Sequence, residues 1–125
     1  MAVNKHGINI NTIHLGGDYL ICVTGGSAHI GAVVTAYREQ TEIRIQKQVI
    51  PGHHEAELAA QIATRACTML GGTITVVMGI HIDNATKEEI REIVYWVERV
   101  AGQELDRLTL LGKGTGMIDF TNTVS

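Results

Sequence analysis

Three histidine-bearing segments of the sequence combine residue types and spacings that could do chemistry. The first is TGGSAHIG at residues 24–31, in which His29 follows a pair of glycines at the end of an apolar run. Glycines let the backbone adopt a positive φ and approach a ligand closely, and successive N–H groups there could form an anion-binding nest. An ordinary glycine-rich turn accounts for the same residues, so the sequence leaves both interpretations open.

The second segment, PGHHEAE at residues 51–57, opens a predicted helix. Unpaired N–H groups and the helix dipole make such an end attractive to anions. His53 and Glu57 stand four positions apart on one helix face, a spacing that suits a pair of metal ligands. His54 is turned by about 100° from His53, so we expect only one of the two to reach a given site. A solvated first turn with acidic residues is the alternative interpretation.

The third segment, GIHIDN at residues 79–84, ends a predicted strand. Side chains alternate across a strand, which places His81 and Asp83 on one face and the apolar residues on the other. The two could share a ligand or a metal ion, or pair with each other. A polar, solvent-facing surface is the alternative.

Together the three segments predict one site, because strand ends and helix starts are common places for pockets. A cluster of His29, His53 and His81 would suit zinc, manganese or another borderline divalent ion. The same imidazoles could instead hold a phosphate or a polarised ring. We expect His6 and His14 to be surface residues.

The composition is that of a globular protein with one domain. The chain has 125 residues, of which 45% are hydrophobic and 18% charged, enough to bury a core. A formal net charge of −3, with one Trp, three Tyr and one Phe, argues against a nucleic-acid surface. Because no P-loop, G-x-G-x-x-G, H-E-x-x-H or C-x-x-C motif occurs, nucleotide-fingerprint, hydrolase and structural-zinc classes have no support.

The cysteines and the first residues predict a cytoplasmic protein with no membrane partner. Cys22 and Cys67 lie in apolar runs, which is typical of buried free thiols. No basic segment followed by an apolar run begins the chain. No apolar run reaches the roughly 18 residues that a membrane-spanning helix needs.

Hydrophobic periodicity predicts the element order β-β-β-β-α-β-α, with strands at 8–15, 19–24, 30–37, 42–49 and 73–83, and helices at 53–70 and from 86. Thr86 and Glu89 have capping-box spacing at the start of the second helix. Strands followed by helices indicate an α+β fold with a mainly antiparallel sheet and both helices on one face. The other face is left open, which invites a ligand or a homo-oligomer.

The apolar pattern weakens towards the end of the chain. We therefore predict one α+β domain over residues 1–105 and a C-terminal tail or arm over residues 106–125. Short strands at 109–111 and 117–120 are one interpretation of the last segment. An arm that pairs with a neighbouring subunit is another.

Three stretches together resemble a known family. They are Gly25-Gly26 leading to His29-Ile30-Gly31-Ala32-Val33, Pro51-Gly52-His53-His54-Glu55, and GIHIDNATKEEI at residues 79–90. Over residues 8–101 the chain resembles the LpdD-type prenylated-flavin chaperones, which are accessory proteins of UbiD-type non-oxidative decarboxylases such as gallate decarboxylase.

This resemblance implies a carrier rather than an enzyme. Such a protein is expected to hold reduced prenylated FMN and to assist its delivery to a UbiD-type decarboxylase acting on (hydroxy)aryl acids, as a transient partner. Carried over by motif, the expected cofactor-binding residues are Gly25, Gly26, His29, His53, Glu55, His81, Asp83 and Asn84. Within that set, the sequence favours His29, His53 and His81 as candidates for a divalent metal ion such as zinc or manganese, or for a phosphate.

Two alternatives remain beside the carrier. The element order also suits a small metal-dependent or acid–base enzyme with sites between subunits, although the arginines do not cluster with the histidine segments. A structural subunit that binds a decarboxylase through its open sheet face is the other alternative.

Overall fold

The alternating segments form one five-stranded sheet in the computed structural model, which describes residues 3–51 and 55–114. The elements are β1 (Asn9–Leu15), β2 (Asp18–Gly26), β3 (Ala32–Glu39), β4 (Glu42–Val49), α1 (Ala56–Leu70), β5 (Ile74–His81) and α2 (Lys87–Gly114). This order confirms the expected α+β fold. The capping box is also present, because Glu89 N–H donates to Thr86 Oγ1 and Thr86 N–H donates to Glu89 Oε1.

The strands lie in the spatial order β1-β2-β5-β3-β4. All neighbours are antiparallel except β2 and β5, which run parallel. The last strand of the sequence is therefore inserted between β2 and β3. As a result Gly26, at the end of β2, lies beside His81, at the end of β5.

The core lies between one sheet face and both helices. The central strands bury alternate residues on that face, which are Ile21, Val23, Val34, Ala36, Ile74, Val76 and Met78. Helix α1 covers them with small residues, which let the helix approach the sheet closely; they include Ala59, Ala63 and Ala66. The opposite sheet face carries side chains that are only partly buried, including Leu20, Cys22, Val33 and Val77. Cys22 and Cys67 are free.

The apolar pattern of the second helix extends only to Ala101, but the observed helix α2 is longer. It continues to Gly114 and buries Leu105 and Leu108, which extend the same helical stripe. The expected strand at 109–111 is therefore wrong. Residues 115–125, which include the other expected strand, lie outside the described residues, and a domain boundary at residue 105 stays a prediction. Within the described part of the chain, no helix is long and apolar enough to span a membrane.

The apolar side chains of edge strand β4 are more exposed than the alternation of apolar and polar residues in its sequence predicts. Ile43 packs against the core, but Ile45 and Val49 are 39% and 45% exposed. The pattern correctly predicts which residues share a face. It cannot predict that β4 forms the margin of the sheet, where α1 covers that face incompletely.

The Glu104 carboxylate connects α2 to β1 through a hydrogen bond. Thr12 Oγ1 donates to Glu104 Oε2 at 2.6 Å, and Arg107 donates to both carboxylate oxygens of Glu104 at 2.9 and 2.8 Å. The hydrogen bonds from Arg107, with that from Thr12, lower the pKa of Glu104 below its ordinary 4.5, although burial opposes the shift.

Replacing Glu104 by Gln should lower the free energy of unfolding by about 1 kcal/mol at neutral pH, because charge-assisted hydrogen bonds are lost. The folded-state pKa lies below the unfolded value. The carboxylate therefore stabilises fully above pH 4.5, and its contribution is lost as the pH falls through the folded-state pKa. Urea unfolding from about pH 7 to about pH 3 should show the difference between wild type and Glu104→Gln shrinking. A difference that stays constant over that range would contradict this role.

Candidate functional site

The connection between β2 and β3 crosses the end of β5, because these two strands flank β5 in the sheet. The backbone of this crossing segment, residues 27–31, is hydrogen-bonded to β5. Ser27 N–H donates to His81 O at 3.0 Å and Gly31 N–H donates to Met78 O at 2.9 Å. A Cβ atom at Gly79 would collide with the backbone oxygen of His29. Glycine at position 79 therefore lets the histidine segment lie directly on β5.

Glu55 brings the start of helix α1 to the same place. We call this meeting point of the crossing segment, the end of β5 and Glu55 the junction. Glu55 is the residue before the helix, yet its side chain makes no capping hydrogen bond. Instead its Oε2 accepts the Ile80 N–H at 3.0 Å. A Cβ atom at Gly31 would lie only 2.7 Å from Glu55 Oε1, so glycine also leaves room for this carboxylate. The Glu55 side chain is 13% exposed and links α1, β5 and the crossing segment.

Two imidazoles lie at this junction. His29 Nε2 is 3.8 Å from Glu55 Oε2, and His29 Nδ1 is 3.1 Å from Ser27 O. A carbonyl oxygen can only accept, so the second contact places a proton on Nδ1. The His81 ring lies 6.0 Å from the His29 ring, edge to face. His81 Nε2 is 2.8 Å from Asp83 Oδ1, which confirms that these two residues can pair.

The chemistry available here is hydrogen bonding and ion binding. Imidazoles bind anions when protonated and bind metal ions when neutral. Histidine at position 81 is half-exposed and Asp83 is largely exposed, whereas His29 and Glu55 are mostly buried. The group therefore has a buried half that fixes geometry and an open half that a ligand can reach.

An apolar cleft of about 290 Å³ lies beside these polar groups. It is bounded by the end of β5, the start of α1 and the start of α2. Glu55 and His81 line it together with aliphatic and thioether side chains, which are Leu58, Met78, Ile80, Ile82, Ala85, Ile90, Ile93 and Val94. An apolar cleft with a few convergent polar groups is the usual form of a small-molecule site.

The structure brings four of the expected site residues together, which are His29, Glu55, His81 and Asp83. Asn84 follows directly, is exposed, and has a φ of 53°. His53 and the adjacent Gly52 and His54 lie outside the described residues. Within residues 3–51 and 55–114, no group of three or more His, Cys, Asp or Glu is placed to hold a metal ion. The predicted cluster with His53 stays a prediction.

The glycine pair has a packing role. A Cβ atom at Gly25 would come within 2.5 Å of Ile8 Cδ1. Gly26 N–H donates to His6 O, and Ser27 N–H donates to His81 O. Because these two N–H groups already have acceptors, the expected anion nest does not form from them, and cofactor contact by Gly25 and Gly26 stays a prediction.

Two other expectations need correction. His6 is only partly exposed and its Nε2 atom is buried, and His14 packs its ring 5.1 Å from that of Tyr19, so neither is a simple surface residue. Sequence reasoning also missed the apolar cleft, since Ile90, Ile93 and Leu58 read as ordinary core positions. One sequence feature could have indicated the cleft. The apolar stripe of α2 already begins in the first turns of the helix, which follow the end of β5.

Comparisons with known proteins agree on one relationship. A family model described as "Prenylated flavin chaperone LpdD-like domain" matches residues 2–109. Protein LpdD of Lactiplantibacillus plantarum is 30% identical to this chain over 98 residues, which are 67% of this chain and 72% of that protein. The residues matched by the family model therefore include both described histidine segments of the junction.

Replacing Gly79 by Ala should lower the free energy of unfolding by about 2–3 kcal/mol, because the new methyl group overlaps backbone that cannot rotate away. The matched control is Gly102→Ala in α2, where a Cβ atom meets nothing within 4 Å. That variant should be neutral or more stable by up to about 1 kcal/mol, because alanine favours helix. Urea unfolding measures both. Equal stability of the two variants would contradict the close crossing at Gly79.

Proposed function

The chain belongs to the prenylated flavin chaperone LpdD-like family, and from that premise we propose that it carries reduced prenylated FMN to a UbiD-type decarboxylase. Membership of a chaperone family makes an accessory role the starting point. The observation that carries the proposal is the apolar cleft of about 290 Å³ with an imidazole and a carboxylate in its wall.

The lining of the cleft suits temporary rather than permanent binding. Aliphatic side chains remove the cofactor's apolar surface from water, which supplies affinity. The described lining contains no Phe, Tyr or Trp ring for a flavin to stack on, and its one ring is the His81 imidazole. A carrier must release its cargo, and affinity differences between related complexes reside mostly in the rate of dissociation. Modest packing therefore favours transfer.

The polar groups would orient the cofactor. In this proposal His81 and Asp83 contact the exposed polar atoms of the cofactor. His29 contributes to the same site from its position next to Glu55, whose hydrogen bond to Ile80 holds the junction together. Asn84, His53, Gly25 and Gly26 complete the proposed binding set. A zinc or manganese ion held by His29, His53 and His81 is part of the same proposal, since imidazole suits such ions.

The proposed partners are the decarboxylase and a second copy of this chain. The partly apolar open sheet face, with Leu20, Val33 and Val77, is the surface that would be covered in either contact. Transfer would be brief and would take place in the cytoplasm. No nucleic acid and no membrane take part in the proposed function.

The test mixes the full chain anaerobically with reduced prenylated FMN, removes free cofactor, and adds the protein to an apo-decarboxylase. Wild type should retain the cofactor and activate the enzyme. A variant with His29→Ala and His81→Ala should bind it about tenfold more weakly or worse, through loss of about 1.4 kcal/mol or more. His14→Ala, on β1 and away from the junction, is the matched control and should behave as wild type.

Failure of wild type both to retain the cofactor and to activate the enzyme would overturn the proposal. Activation that is equally strong with the double histidine variant, without retained cofactor, would instead support a structural partner subunit. Turnover of a small acid by the chain alone, lost in His81→Ala, would support the enzyme alternative.

A further inference from the structure

We infer that the open sheet face binds the same face of a second copy of this chain, giving a two-fold symmetric dimer with its helices on the outside. The proposed function leaves two occupants for this face, the decarboxylase and a second copy, and the residues of the face favour the second copy. The inference does not depend on the cargo. The cleft is lined by residues of α1 and α2, which lie on the other side of the sheet, so a dimer of this kind leaves it accessible.

The middle of the open sheet face consists of uncharged side chains. Side chains alternate across a strand, and the core takes one set from the central strands β2, β5 and β3. The other set points away from both helices and is only partly buried. It comprises Leu20, Cys22, Thr24, Val33, Thr35, Tyr37, Thr75 and Val77. A contiguous, largely apolar patch of this kind is typical of a protein–protein interface.

Two polar groups in this patch are already paired with each other. Thr35 Oγ1 lies 2.8 Å from Thr75 Oγ1 across the boundary between β3 and β5. Burying a hydroxyl costs much less when the hydroxyl keeps a hydrogen bond. A second copy can therefore cover this pair without supplying polar groups of its own.

Charged side chains lie at one end of the face, where β3 turns into β4. Arg44 pairs there with Glu39 and with Glu42, each at 3.1 Å. At the opposite end the crossing segment lies over Gly79 and limits the face. An uncharged centre with charges at the margin is the usual arrangement of an interface, and interfaces of homodimers are more apolar than those of transient complexes. A decarboxylase that binds briefly is expected to use a more polar surface.

The size of the face is sufficient for a dimer. Strands lie about 4.8 Å apart and rise about 3.3 Å per residue, so five strands over about seven residues present roughly 550 Å². Two copies would bury about 1,100 Å², which exceeds the roughly 1,000 Å² expected of a specific interface. Ile13 and Leu15, on the same side of edge strand β1, are 50% and 58% exposed and extend the apolar area.

The first test measures the mass of the full chain by sedimentation equilibrium. Wild type should have twice the mass of one chain. Val77→Glu, at the centre of the face, should weaken dimerisation by at least about a hundredfold, because two like charges would be buried without partners. The matched control is Ile45→Glu on β4, which is 39% exposed and lies on the helix side of the sheet, and it should remain a dimer.

Thermal unfolding of each variant checks that the fold is retained. Leu20→Glu on β2 places a charge on the same face in a different strand. It should also be monomeric, and it decides the matter if Val77→Glu does not fold.

The second test uses Cys22, which lies on the face beside Val77. Its side chain is partly exposed, whereas Cys67 is fully buried in the core, so a maleimide should label Cys22 selectively. Labelling should be at least about tenfold slower in wild type than in folded Val77→Glu, and it should accelerate on dilution because dilution favours the monomer. Cys22→Ser should abolish the labelling.

Three outcomes would overturn the inference. One is a wild type that stays monomeric at about 100 µM. Another is a dimer in which Cys22 is labelled as fast as in Val77→Glu, because another surface would then join the copies. The third is a monomer whose Cys22 becomes protected only when apo-decarboxylase is added, which would assign the face to the enzyme. Failure of the chain to bind flavin would overturn the proposed function and leave the dimer unaffected.

Discussion

The hydrogen bond from Ile80 N–H to Glu55 Oε2 is the interaction on which the site depends. It joins the residue before α1 to the end of β5, two parts of the chain that are 25 positions apart. Losing a partner of a mostly buried hydrogen bond costs about 1–3 kcal/mol, more than an exposed contact. Because the same carboxylate lies beside His29 and lines the cleft, one group positions both the polar and the apolar halves of the site.

Strand order and glycine explain why this junction can form. Insertion of β5 between β2 and β3 forces the intervening connection across the end of β5. Gly79 admits the backbone of His29, and Gly31 admits the Glu55 carboxylate. The glycines of these segments therefore act mainly by leaving space. In this way they bring His29 and Glu55 close to His81.

Much of this was predictable from the sequence, and the limits have a physical cause. Alternation and helical spacing predict the strands, the helices and their order, and the capping box at Thr86 and Glu89 is present. The pairing of His81 with Asp83 was also predictable, because their separation is two. Periodicity assigns faces but not neighbours in space. The parallel pairing of β2 with β5, the contact between Glu55 and Ile80, and hence the cleft, could not be predicted.

The central claim is that cargo binds where the imidazoles meet the aliphatic cleft. The most direct measurement is an anaerobic NMR titration of the full chain with reduced prenylated FMN, following histidine rings and isoleucine, leucine and valine methyl groups. We predict that the NMR signals of the His29 and His81 rings and of the Ile80 and Ile90 methyl groups change together as the cofactor is added. The open sheet face, including Leu20, Val33 and Val77, should not respond. Shifts confined to that face, with the cleft unchanged, would contradict the account.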